Sequence, residues 1–543
     1  MTNCIDRLDS LLRTLCSNRP KIPIPYTLGL IVALCAQTVS PALATPYPSW
    51  RFAWNYKTRD FQQDPQKSAQ FLDDYLLHEA RFFAQARHRE SGLTFDGWNL
   101  DAESGQPSSA RIFSAASKEC LDLALCVKAL YGDPLIGKVV SPDDPAKAPE
   151  IAADILGKKL RSYQAYQKNY PGFAGYVSWF HSGREMKPIG QWKQALPTLD
   201  MGEMAWSLLL VEKALRDTGR EELSQGYRAY NDHLQQRVQE VLIEPKSGGV
   251  RGHVEISDPK SASATYSGAG ITTGEHGVHE GQMIVSYVTL FGGLEPTARD
   301  RIWDDIQMER VEHRYGTTWK GYWGSPHEEW AHLFLPYHDI DGFKALFRIR
   351  EKIRSQNAAD RNYPGFAASA HHPLEDKYMS AAGVEGVGSQ KLEYQNTYTP
   401  YGAFPMLLQF AGELEGNVGL AWLHNMLTGP KLQGPMGAGE SGDNLGRGAA
   451  PVKTIDVSFT NLLALSGGLQ KETAELLKER GKYDQFIARM TSEYNEAFSG
   501  APLREPSDFA YPTGPAPAGS REYLFSPTTD HNRSPRPQSP NGS

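Results

Sequence analysis

Cysteine is nearly missing from most of this chain. Of five in 543 residues, Cys4, Cys16 and Cys35 fall near the start, leaving only Cys120 and Cys126 beyond them. That excludes a disulfide-stapled framework. Six positions apart on one expected helix, the remaining pair is separated by about 9 Å, beyond disulfide reach, so both are read as small buried apolar groups. Clustered basic residues are missing too. Lys and Arg number 56 against 63 Asp and Glu, for a formal net charge of −7. They are dispersed, which argues against a nucleic-acid partner, because phosphate binding needs a concentrated basic face. β-Hairpin signals are sparse, and no internal repeat at solenoid spacing is visible.

What is present begins with a leader. Arg7, Arg13, Arg19 and Lys21 precede an apolar run from Tyr26 to about Val39, followed by Pro41-Ala42-Leu43-Ala44. This is the layout of a signal peptide with an Ala-x-Ala cleavage site over 1–44, and the run is too short for a comfortable membrane span. The chain is therefore expected to be exported, periplasmic or secreted, and free of the membrane once the leader is cleaved. Apolar residues at three- and four-residue spacing predict helices near 66–88, 114–130, 148–168, 200–217, 221–243, 277–293, 341–355, 400–413, 456–468 and 471–498. Between them run long connections, including 170–199, 247–274, 315–326, 361–399 and 429–454. Loops of that length in a compact domain usually carry function. The pattern predicts an all-α closed ring of helix pairs, one catalytic domain over 45–500. From 501 to 543 the composition turns to Pro, Ser, Thr, Gly and Asn and predicts a disordered tail.

Three constellations carry chemistry. Thr272 to Gln282 places Glu275, His276, His279 and Glu280 just ahead of the apolar run Met283–Phe291. A carboxylic acid there could protonate a leaving oxygen. Glu280 is preferred over Glu275 because it lies further into the expected helix; helix capping is the bland reading of both. Trp319 to Trp330 gathers Trp319, Tyr322, Trp323, His327 and Glu328 around a helix start opened by Pro326. Flat aromatic faces stack on sugar C–H surfaces while acids accept hydroxyl hydrogen bonds; core packing is the alternative. Gly434 to Asp443 sets Glu440 and Asp443 among glycines, with Asp456 following at another helix start. Glycines allow close backbone approach to a ligand, but the Gly-Lys-Ser/Thr phosphate signature is absent, and Asp456 could equally be a cap.

The ligand types His276, His279, Glu280, His327 and Glu328 raise a metal site, yet His-x-x-His-Glu matches no zinc-protease spacing, and no metal or other cofactor is expected. No Ser or Cys nucleophile elbow stands out.

In order along the chain these clusters resemble the motif succession of the glycoamylase-like and β-1,2-glucanase group of (α/α)6-toroid glycoside hydrolases. Thr198-Leu199-Asp200-Met201-Gly202 is similar to that group's Thr-x-Asp-Ile-Gly, and His279-Glu280-Gly281-Gln282 to its Ser-Glu-Ala-Arg. Trp323-Gly324-Ser325-Pro326-His327-Glu328 resembles Trp-Gly-Gly-Ser/Thr-Met-Phe-Glu. Pro364 to Ala370, Thr399-Pro400-Tyr401-Gly402-Ala403 and Gly434 to Asp443 resemble later steps, so the likeness covers about residues 90 to 470. It implies an (α/α)6 toroid and inverting hydrolysis of a β-linked glucan, β-1,2-linked by resemblance. Glu280 would be the general acid and Asp456 the base, with Glu275, Glu440 and Asp443 as alternative acids. Asp200, Trp319, Tyr322, Trp323, His327, Glu328 and Tyr401 would contact an oligo- or polysaccharide, and the enzyme would act as a monomer.

The sequence departs from the group's pattern at Gln282, near Ala368 and at His327-Glu328-Glu329. These departures keep two other readings open: a non-catalytic glycan-binding toroid, and a polysaccharide lyase on the same fold. A lyase acting on uronates would favour Arg or Lys in the cleft, whereas the loops here are richer in acids.

Overall fold

The computed structural model describes residues 51–101, 104–271, 281–304, 306–322, 324–379, 383–388, 396–410, 417–514 and 516. Its helices alternate along the chain between two kinds. Helix α1 (Pro65–Phe83) opens with Asp64, whose carboxylate accepts from the Lys67 N–H, and buries one stripe including Phe71, Tyr75 and Phe82. Helix α2 (Ala116–Leu130) is buried on almost every residue. Then α3 (Ala148–Asn169) buries the stripe Ala152, Leu156, Leu160, Tyr163 and Tyr166, and α4 (Thr198–Asp217) is again buried nearly all round. The alternation continues through α5 (Glu221–Gln236), α6 (Gly281–Phe291), α7 (Pro296–Asp304), α8 (Ala331–Phe334), α9 (Asp341–Asp360), α10 (Phe404–Gln409), α11 (Val418–Leu427) and α12 (Ile455–Leu465). Physics dictates the sorting. Helices apolar on all sides sit inside, and those with one apolar stripe lie outside with a polar face in water; the exception is α11, which lies outside the ring but is covered by Ala53, Tyr56 and Ala510.

The inner helices α2, α4, α6, α8, α10 and α12 form a ring. Helix α2 packs on α4, α4 on α6, α10 on α12, and α12 returns to α2. Across the remaining gap, Pro326–Glu329 joins α8 to α10, and the Tyr337 hydroxyl donates to Gln282 of α6 (2.6 Å). Each inner helix carries an outer one; Phe82 and Phe83 of α1, for example, meet Phe459 of α12. This is the expected (α/α)6 toroid. Among the described residues the strands form two- and three-stranded antiparallel ladders, such as Val452–Thr454, Gly97–Leu100 and Pro107–Arg111 in that spatial order.

Neighbouring inner helices run in the same direction. A Cβ on Gly202, in the first turn of α4, would lie 2.5 Å from the Ile284 nitrogen in the first turn of α6, so only glycine permits the approach. At the other end, Lys128 of α2 and Lys213 of α4 pair with Glu472 (2.9 Å) and Glu479 (2.9 Å) of α13 (Gln470–Glu479). The long loops therefore feed the N-terminal rim, and α13 covers the C-terminal one.

The sequence reading differs from this in four places. Neither α7 nor α8 was expected, both being too short to show a helical period. The helix expected over 471–498 is two, α13 and α14 (Tyr483–Phe498), separated at Gly481 with φ of 63°. Helix α11 was not anticipated, because Val-Gly-Leu-Ala-Trp-Leu-His-Asn-Met-Leu is buried throughout and shows no 3.6-residue period. The segment 501–514, expected in the disordered tail, lies against the ring. Lys352 donates to Glu505 (2.7 Å), the Pro506 carbonyl (3.0 Å) and the Ser507 carbonyl (3.1 Å). Trp422 donates to the Ala510 carbonyl (2.8 Å), and Phe509 meets Phe410 edge-on. Composition averages hide two aromatics among prolines, Phe509 and Tyr511, that pack against the core. Cys120 and Cys126 are buried free thiols, as expected. No helix among the described residues is long and apolar enough to cross a membrane.

Candidate active site

The N-terminal rim collects charge. Lys118 lies in the first turn of α2, Asp200 in that of α4 and Asp456 in that of α12. The loop tethers that aim these turns are themselves specific. The Thr198 hydroxyl donates to the Arg251 carbonyl (2.6 Å) and fixes the start of α4, and the Ile455 N–H donates to the Asp96 carbonyl (2.9 Å), fixing α12 beside the Gly97–Leu100 strand.

Around Asp456 the polar groups form one connected network. Lys118 Nζ donates to Asp456 Oδ2 (2.6 Å) and lies 3.1 Å from Asp96 Oδ1. Arg111 Nε donates to Asp96 Oδ2 (2.5 Å), and its Nη2 donates to His371 Nε2 (2.9 Å). The His371 N–H donates to Glu440 Oε1 (3.2 Å), and the Thr454 hydroxyl donates to Glu440 Oε2 (2.6 Å). Tyr378 stands edge-on to the His371 ring and keeps 37% of its surface exposed.

Burial and charge divide these groups. Burial alone would raise the Asp96 carboxyl, but Lys118 and Arg111 outweigh it and hold it down at about 2. Burial dominates at Glu440, which is pushed up to about 7 with Asp456 and Asp96 adding to the rise against its two donors. Burial, reinforced by Arg111, pulls His371 down to about 3, so its ring is neutral and accepts from Arg111. Lys118 is held charged, because Asp456 and Asp96 overcome its desolvation. Two carboxylates of the network are thus firmly paired to cations, and a third sits near neutrality. Carboxyl groups kept in different protonation states are what acid–base chemistry needs.

A second feature flanks Asp200. The Trp179 indole N–H donates to its Oδ2 (3.1 Å), and the half-buried Trp179 ring stacks on Phe113 and on Trp192 with interplanar angles of 17° and 14°. Trp179 and Trp192 lie in the 170–199 loop, and Phe113 brings the stack next to the Arg111 guanidinium. A surface of this kind is complementary to pyranose faces.

A sequence profile for endo-β-1,2-glucanase SGL matches residues 93–526. The chain belongs to that family of glycoside hydrolases. An endo-β-1,2-glucanase from Talaromyces funiculosus solved with sophorose superposes with a TM-score of 0.82 and 28% identity, covering 88% of this chain and 99% of that one. A Glu-to-Gln variant of the Talaromyces funiculosus enzyme solved with β-1,2-glucan matches equally. The endo-β-1,2-glucanase from Chitinophaga pinensis shares the fold at a TM-score of 0.55 and 14% identity, over 76% of this chain and 97% of that one. No curated protein matches the chain.

Within this glucanase-family fold, the candidate residues separate. Asp456 and Asp200 lie on the rim, and Glu440 joins Asp456 through the network already described. His327 and Tyr401 also meet, His327 Nδ1 lying 2.9 Å from the Tyr401 hydroxyl, with His327 half-buried and Tyr401 stacked on Phe404. Tyr322 is half-buried. Glu275, Glu280, His276, His279 and Trp323 fall outside the described residues.

Three candidates require correction. Trp319 is 3% exposed, with the Arg350 guanidinium on its face at 4.2 Å, so it presents no ring to a sugar. Glu328 is buried, ion-paired with Arg350 (2.6 Å) and accepting from the Gly324 N–H (3.0 Å); it holds a turn together. Asp443 is clasped by Arg447 (2.7 and 2.9 Å) and accepts from the Leu445 and Arg447 N–H groups, closing its own loop. Each was drawn from a glycine- and aromatic-rich stretch, a composition shared by cleft walls and by tight structural turns.

Sequence reasoning passed over Lys118, Asp96, Arg111 and His371 because they are scattered over more than half the chain. The Trp179–Trp192 pair was within reach, since its loop had already been singled out by length. Among the described residues no group of His, Cys, Asp and Glu is arranged to hold a metal ion.

Proposed function

We propose that the chain is an exported enzyme that hydrolyses internal linkages of β-1,2-glucan with inversion, using Glu280 as general acid and Asp456 as the base that activates water, directly or through a relay. The posture of Asp456 carries the reading. One of its oxygens is held by Lys118 while Oδ1 has no hydrogen-bond partner among the described residues, and the side chain keeps 17% of its surface exposed. A general base needs that combination of a fixed carboxylate and an open lone pair. Glu280 immediately precedes Gly281, the first residue of α6, whose opening turn abuts that of α4. Inversion calls for roughly 6.5–9.5 Å between the two carboxyl groups, room for the attacking water. The Phe113–Trp179–Trp192 stack and Tyr378 supply sugar-facing rings. Family membership and the sophorose and β-1,2-glucan complexes of the Talaromyces funiculosus enzyme support the linkage.

Glu280→Gln and Asp456→Asn are each expected to abolish sugar release from β-1,2-glucan while leaving Tm near that of the parent. Product anomers read by NMR at early times should be inverted. Turnover retained in either variant removes that residue from its role, and release from other β-glucans but not from this one would overturn the linkage.

A further inference from the structure

Lys118 is an odd residue to find where it is. It projects from α2, a ring helix buried on almost every residue, and is only 6% exposed. A lysine so buried must be compensated, and its partners are two carboxylates from different parts of the chain, Asp456 Oδ2 at 2.6 Å and Asp96 Oδ1 at 3.1 Å. Arg111 holds the other oxygen of Asp96 and is anchored in turn by His371. Asp96 thus has both oxygens occupied, and the Lys118 ammonium is left facing Asp456. The charged and titratable groups around the pair are Asp96, Arg111, His371, Glu440 and Tyr378.

Building on Asp456 as the base, we propose that Lys118 is its positioning residue, clamping Oδ2 so that Oδ1 is the oxygen offered to water. The clamp works in two ways. Geometrically, one ammonium bond from the helix beside α12 removes the rotation of the carboxylate about χ2. Electrostatically, the ammonium is the opposite charge in contact with Asp456 and stands between it and the Asp96 carboxylate, and a contacting cation favours the charged form of a carboxylate. Asp96 shares the same ammonium at 3.1 Å and so competes with Asp456 for it while repelling the Asp456 carboxylate.

The test is the pH dependence of kcat/KM on β-1,2-glucan for the full chain carrying Lys118→Met, Lys118→Arg or Asp96→Asn, with Asp456→Asn as reference and Tm recorded for each. Lys118→Met should lower kcat with little change in KM and move the acid limb upward by about 1–3 pH units, the size of effect a contacting opposite charge has on a carboxylate. Lys118→Arg, which keeps the cation, should return the limb toward that of the parent. Asp96→Asn deletes a repelling charge and should move the limb downward, a direction that general loosening of the fold would not produce. An acid limb unmoved in Lys118→Met, or displaced the same way in Asp96→Asn, overturns the proposal. If Lys118→Met does not fold, the Lys118→Arg and Asp96→Asn profiles decide it alone. Turnover surviving in Asp456→Asn would instead sink the assignment of the base.

Discussion

The acid network is where single residues have most leverage. Glu440 ionises near 7 rather than at its ordinary 4.5 because it is desolvated and faces Asp456 and Asp96. A carboxyl with a raised folded-state pKa contributes fully below the unfolded value and loses that contribution as pH rises through the folded one. Glu440→Gln is therefore expected to gain stability relative to the parent between pH 4.5 and about 7, by roughly 2–3 kcal/mol at the upper end. Denaturant unfolding at pH 5 and pH 8 measures the difference, and a gap independent of pH would contradict the assignment. Asp96 and His371 act in the opposite sense. Asp96, depressed to about 2, loses its contribution as pH falls through that range, and His371, held neutral down to about 3, opposes folding below its ordinary 6.5. Together they make acid the destabilising direction.

At the scale of elements, the ring depends on how closely inner helices approach. Gly202 marks one close contact, and any side chain there meets the Ile284 backbone. Overpacking of this kind costs about 1–3 kcal/mol. Gly202→Ala should lower Tm and, by displacing the first turn of α6 next to Glu280, lower kcat more than the stability loss alone explains. Equal activity at a temperature where both proteins are folded would show that the α4–α6 spacing does not govern the acid. The same contact explains the Gly that closes Thr198-Leu199-Asp200-Met201-Gly202. Thr198 tethers the turn, Asp200 faces the rim and Gly202 admits the neighbour, so a motif read for function is half structural.

For the whole molecule, the ring is buttressed from outside by the segment after residue 500. Lys352 and Trp422 both find partners there, and Phe509 covers Phe410. Ending the chain after Gly500 should destabilise it by at least about 2 kcal/mol, from one uncovered aromatic and buried donors left without acceptors. Thermal unfolding of chains ending at residues 500 and 516 would test this, and identical Tm values would return the segment to the status of a passive tail.

The sequence by itself determined the class of the fold and the order of its longer helices. Runs with one apolar stripe and runs apolar throughout can only be sorted into outer and inner helices, and the loops that carry the rim were visible as lengths of chain without periodicity. It also singled out Asp456, Asp200 and Glu440. Only the tertiary structure decided which acids share a network and which are tied into turns. Glu440 and Asp443 sit three residues apart in one glycine-rich run, yet one reaches His371 and Thr454 while the other folds back on Arg447. Nothing local separates them, because burial and partners are supplied by residues tens to hundreds of positions away. Lys118 shows the same limit: within its own helix it is one polar residue of the first turn, between Ser117 and Glu119, and its meaning appears only when residue 456 arrives beside it.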